Sequence, residues 1–252
     1  SATIGSLYGP AARASASISL SYSDTNLTLS PTSGSTTYKG TISGMGGIIK
    51  AGAGTQTLSG QLSQGTLSVS AGTLIINNSS NNYSSTSISG GTLQSGDDSA
   101  TGSGKITMTG GQLSSNGATA RTFSNNLDIS GSVELGDTTN NGSVTISGTT
   151  TLLGNTTLTN NSSVSLTATD VSNSYSLTKS GTGTLTLSGA NTFDGGTTIT
   201  AGTIEIDNNS SLGTGALTMT GGQLSSNGST ARSLSNTLNL NGNFEIGDAS
   251  NT

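Results

Sequence analysis

The chain has 252 residues, of which 29% are hydrophobic and 3% aromatic, with a net charge of −5 and neither Cys nor His. Ser, Thr, Asn and Gly make up roughly three-fifths of it, which excludes one large spherical core but leaves enough small apolar residues for a thin, elongated one. The missing Cys and His exclude disulfide frameworks, thiol catalysis and His-dependent triads, and 7 Lys plus Arg are too few for a basic nucleic-acid footprint.

In chain order, residues 1–34 stand apart. Pro10 precedes the Ala-rich Ala11-Ala12-Arg13-Ala14, and an alternating stretch follows through Ile18, Leu20 and Tyr22. This segment is expected to be a leading strand or cap over the first coil. From residue 35 to 252 short alternating runs of three to five residues recur, separated by Gly- and Asn-rich corners that supply the positive φ and Asx turns of tight bends. A first copy of this grammar spans about 38–140. It contains Tyr38-Lys39-Gly40-Thr41-Ile42-Ser43-Gly44, then Lys50-Ala51-Gly52-Ala53-Gly54-Thr55-Gln56-Thr57-Leu58-Ser59-Gly60 and Ala71-Gly72-Thr73-Leu74. A spacer covers 141–172. A second copy spans 173–252, with Lys179-Ser180-Gly181-Thr182-Gly183-Thr184-Leu185-Thr186-Leu187-Ser188-Gly189 and Ala201-Gly202-Thr203-Ile204 matching the first.

Residues 107–137 reappear as 218–248, with 21 of 31 positions identical. Where the copies differ, Phe123 becomes Leu234, Ile129 becomes Leu240, Val133 becomes Phe244 and Leu135 becomes Ile246. Apolar sites change shape and stay apolar, as in a repeated core. Equivalent strands recur every twenty residues, from Glu205 to Ser225 to Glu245 and from Ile199 to Met219. Three short strands and three corners fit that length, which predicts an all-β, right-handed, single-stranded parallel β-helix (a β-solenoid) with about 20 residues per rung. The strict alternation and low net charge argue against disorder, and the short strands and few aromatics argue against an antiparallel sandwich. The block breaks off mid-module at Asn251-Thr252, so a fragment, or one unit of something that stacks, is expected.

From Leu177 through Lys179-Ser180-Gly181-Thr182-Gly183-Thr184-Leu185, Gly189-Ala190-Asn191-Thr192-Phe193-Asp194-Gly195-Gly196-Thr197 and Ile199 to Ala201-Gly202-Thr203-Ile204, the text resembles the autotransporter-associated β-strand repeat. A shortened match covers 38–74, where the Asn-x-aromatic-x-Gly-Gly segment is missing. The resemblance implies a passenger β-helix of a large exported bacterial protein, a stalk element without catalytic residues. The alternating strands of about ten residues that build the family's membrane barrel are not visible, so membrane attachment is expected only through a domain outside this chain. No export signal is legible either.

Paired carboxylates are the remaining route to hydrolysis. Asp97 with Asp98, Glu134 with Asp137, Glu205 with Asp207, and Glu245 with Asp248 are the candidates; Glu205 and Asp207 flank Ile206 and follow Ile204, so they are expected to face solvent, as are Glu134 and Glu245. Calcium at Asp/Asn corners lacks the usual nonapeptide, and Gly-x-Gly pairs such as Gly181-Thr182-Gly183 and Gly213-Thr214-Gly215 lack the helix of a phosphate site. The Thr-x-Thr pairs (Thr107 and Thr109, Thr184 and Thr186, Thr198 and Thr200, Thr218 and Thr220) present hydroxyls outward, but the array breaks at Leu238-Asn239-Leu240-Asn241. No catalytic, cofactor-binding or metal-ligating residue is therefore assigned, and no enzyme is expected.

The expected role is a non-enzymatic cell-surface or secreted β-solenoid, a passenger stalk supporting adhesion or self-association. Its expected partners are host or neighbouring-cell surfaces, glycans, or copies of itself, with no nucleic acid. A structural filament or matrix subunit stacking end to end is the alternative, and a glycan-active β-helix enzyme the lesser one.

Overall fold

A computed structural model describes residues 2–7, 17–169 and 174–247. The regular elements among them are all strands, 26 in number, and no helix occurs. The chain divides into two compact units, Ser1–Gly117 and Ala118–Thr252, and each is a stack of parallel turns.

In the first unit one side of the stack is built from Asn26–Leu29, Gly47–Lys50, Thr66–Val69, Ser85–Ile88 and Lys105–Met108. The register Leu27↔Ile48↔Leu67↔Thr86↔Ile106 advances 19 to 21 residues per turn. A second side runs Thr36↔Gln56↔Leu74↔Leu93 and on to Leu113. Ala2–Ile4 pairs in parallel with Asn26–Leu29 at the start of the first side, and the backbone of Leu7 exchanges two hydrogen bonds with the buried Gln56 amide.

In the second unit one inward column reads Val144, Val164, Leu185, Ile204, Leu224, Ile246. Another reads Val133, Leu158, Lys179, Ile199, Met219, Leu240. The fold is thus the parallel β-solenoid that the alternation and the twenty-residue spacing predict. Strand residues point alternately in and out, so Leu, Ile and Val fill the interior while Thr and Ser, which suit a pleated surface, face outward.

Two sides of the turns are strands, but the third is a strand only in places: Ser17–Leu20, Thr41–Gly44 and Leu62–Ser63 in the first unit, and parts of the long Leu127–Leu135 and Val144–Thr159 in the second. Elsewhere it is irregular, over 77–84, 96–104, 188–196 and 207–216. The cause is local. Asn78, Asp97 and Asn208 each accept a hydrogen bond from the backbone N–H two residues on, at Ser80 (2.7 Å), Ser99 (3.0 Å) and Ser210 (2.9 Å), an Asx turn that competes with the ladder. Behind these arcs the fully buried rings of Tyr83 and Phe193 fill the interior.

Candidate functional site

The outward rows carry the carboxylates, and Asp97, Glu134, Asp137, Glu205 and Asp207 each take their own partner. Asp97 closes the turn onto Ser99, accepting from its N–H and, at 2.9 Å, from its hydroxyl, while its neighbour Asp98 is exposed. Glu134, between buried Val133 and Leu135, accepts from Asn161 Nδ2 at 3.0 Å. Asp137 folds back onto its own corner, accepting from Thr139 N at 2.8 Å and Asn140 Nδ2 at 3.0 Å. Partial burial works to raise its pKa, but these donors outweigh it and hold the carboxyl below its ordinary value. Glu205 accepts from Thr186 Oγ1 at 3.3 Å, and Asp207 forms a surface ion pair with Arg232 at 2.9 Å. Glu245 is exposed beside Asn243 and Phe244, and Asp248 lies outside the described residues.

Glu205 and Asp207 do face outward, since Ile204 and Ile206 on either side of Glu205 are buried. No three acidic groups among the described residues gather tightly enough to hold a cation. The Thr-x-Thr hydroxyls are outward too. Thr178, Thr198 and Thr218 stack in register, and the row ends at Asn239; Thr184 and Thr203 stack, and their row passes to Gln223 and Glu245. The result is a polar, weakly charged, multiply hydrogen-bonded face.

The residues that sequence reasoning passed over are two buried lysines. Lys50 and Lys179 are both 0% exposed. Each stands in an aliphatic column, Lys50 between Leu29 and Val69, Lys179 between Leu158 and Ile199. Lys179 Nζ donates to the carbonyls of Ser180 (2.8 Å), Gly181 (2.8 Å) and Ala201 (3.2 Å). Lys50 Nζ donates to Gly52 O and, at 3.0 Å, to Ala71 O. Neither is paired with a carboxylate among the described residues. Burial with only neutral acceptors pushes the Lys179 ammonium down to about 8 and lowers that of Lys50. The signal was in the alternation: Lys50 and Lys179 fall in phase with Ile48 and Leu177, on the inward side.

The same stacking distinguishes the turns. Asn191 and Phe193, twelve and fourteen residues after Lys179, are buried, and Asn81 and Tyr83 hold the same offsets from Val69. After Lys50 the corresponding places are taken by Leu62 and Gln64, whose buried amide makes no hydrogen bond.

Residues 48–76, 69–94 and 177–206 each match the family model described as the Passenger-associated-transport-repeat. No curated protein and no solved structure matches the chain. Each match begins at or beside the column that holds a lysine in its own unit, one with lysine and no aromatic, one with aromatic and no lysine, and one with both. The chain is a parallel β-solenoid in which three segments are similar to the passenger-associated transport repeat.

Proposed function

We propose that the chain is a non-enzymatic stalk segment of a secreted or surface-exposed bacterial passenger, supporting adhesion to host or neighbouring-cell surfaces, to glycans, or to copies of itself. What supports this reading is the stacking of outward Ser, Thr and Asn rows on a scaffold that bears the transport repeat, with carboxylates dispersed among separate partners. Each polar contact is weak. Repeated along a rigid stack, many of them act together, so attachment is multivalent. A low charge density leaves little repulsion between neighbouring stacks.

The test compares valency. Beads displaying many copies are expected to retain bacterial or mammalian cells or immobilised glycans where the free chain does not, and charge-introducing pairs such as T198K/T218K are expected to weaken retention. Equal retention by bare beads, or no effect of such substitutions at any point along the rows, sinks this reading.

A further inference from the structure

Alternation alone does not fix how one turn lies on the next. Slipping a strand by two residues keeps every apolar side chain inside and every hydroxyl outside: Leu185 and Leu187 over Ile204 and Ile206 read the same after such a shift. Long columns of Leu, Ile and Val, with Thr between them, therefore need something that tells one register from another.

The buried lysines have that property. An ammonium in an apolar column needs acceptors in the interior, and for both lysines these come from two successive turns, the corner glycine two residues on and the alanine 21 or 22 residues on. The glycine after that alanine makes the room. Gly72 and Gly202 adopt φ of +62° and +66°, and a Cβ there would stand 2.6 Å from Lys50 Nζ and 2.7 Å from Lys179 Nζ. It would also meet the Gly52 and Gly54 carbonyls at 2.2 and 2.6 Å, and those of Gly181 and Gly183 at 2.4 and 2.5 Å. Lysine, corner glycine and Ala-Gly thus form one interlocking set, present twice with the same geometry.

We propose that each set is a register lock: a main-chain carbonyl cage that the chain fills with its own cation, so that the following turn stacks in one register and no other. A two-residue slip moves Ala71 or Ala201 by about 6.6 Å along the strand, beyond hydrogen-bond reach. The ammonium then stays buried short of acceptors, a cost that aliphatic neighbours in the column do not incur. The lock selects register, and it does so whether or not a methionine in its place would make the stack more stable.

The absence of Cys makes the test unambiguous, because two introduced cysteines report one pairing. T178C/T198C reports the native register, Thr178 lying opposite Thr198. T178C/T200C and S180C/T198C report slips in the two directions. With Lys179 present, disulfides are expected to form in the native pair and not in the slipped ones. In the K179M background the yield of a slipped disulfide relative to the native one is expected to rise at least about tenfold, the scale of a lost charge-assisted hydrogen bond. The same holds for K50M with I49C/S68C as the native pair and I49C/S70C as a slipped one. Slipped yields unchanged in both methionine variants overturn the proposal. So does failure of both variants to fold, since a lock that only selects register leaves a slipped stack to fall back on.

Discussion

Residues 118–136 and 229–247 are copies of one text, but the first has a further turn stacked on it and the second is the last turn described. Ile129 and Leu135 are buried; their counterparts Leu240 and Ile246 are largely exposed. Phe123 is fully enclosed, while Leu234 borders a cavity of about 290 Å³ with Ile206, Leu224 and Ile246. Side-chain chemistry does not explain this. Leu127–Leu135 has the long strand Val144–Thr159 laid along it, from Leu127↔Thr150 to Val133↔Leu158. Leu238–Leu240 pairs with Leu217–Met219 on one side and with no described strand on the other. In a stack, the stabilisation a residue provides belongs to the interface between turns, not to the residue.

The strongest way to break that comparison is a matched truncation. I129A is expected to cost about 2 to 5 kcal/mol, as buried Ile-to-Ala changes do, and the equivalent L240A less than about 1 kcal/mol. Urea unfolding followed by circular dichroism reads both, and equal costs would mean that the covering turn is irrelevant.

The buried lysine gives a difference that depends on pH. The folded pKa of Lys179 is about 8, below the roughly 10.4 of an unfolded lysine, so between these values the unfolded chain holds a proton that the folded chain has released. Stability of the wild type relative to K179M is therefore expected to rise from pH 8 to pH 10, by up to about 3 kcal/mol. A difference that is flat or falls across this window contradicts the assigned environment. Buried Tyr83 and Tyr38, whose phenols burial pushes up, act oppositely above pH 10 and cancel in the subtraction.

A smaller effect is expected at the corner where the turns differ in filling. Gln64 leaves its amide unbonded at a place that Phe193 fills with a ring in the other copy, so Q64M, which keeps the length without the polar atoms, should stabilise by about 1 to 2 kcal/mol. Thermal unfolding that moves down instead would show that the amide has a partner. Smallest of all, D207N removes the ion pair with Arg232, in which the carboxylate is 41% exposed. The expected loss is under about 1 kcal/mol, shrinking further in high salt.

Much of this was legible before the fold was known. Leu185, Leu187, Ile204 and Ile206 announce an inward face, and Glu205 between the last two announces an outward one; all lie so. The irregular third side was harder to see. Residues 77–84 and 207–216 look like corner material attached to strands, and only the Asx turns at Asn78 and Asn208, with the rings of Tyr83 and Phe193 buried in the interior, make them a side of the coil. Lys50 and Lys179 stand in the sequence as letters of a repeated motif, and nothing local beyond the alternation marks them as interior groups, because their acceptors come in part from the next turn.

The sequence by itself determined the parallel coil, its twenty-residue period and the inward faces, because alternation and repeat distance are properties of neighbouring residues along the chain. Tertiary structure alone decided where Asp97, Glu134, Asp137, Glu205 and Asp207 find their donors, and what receives the two ammonium groups. Those depend on backbone carbonyls and strands one turn away, and no local pattern states which turn covers which.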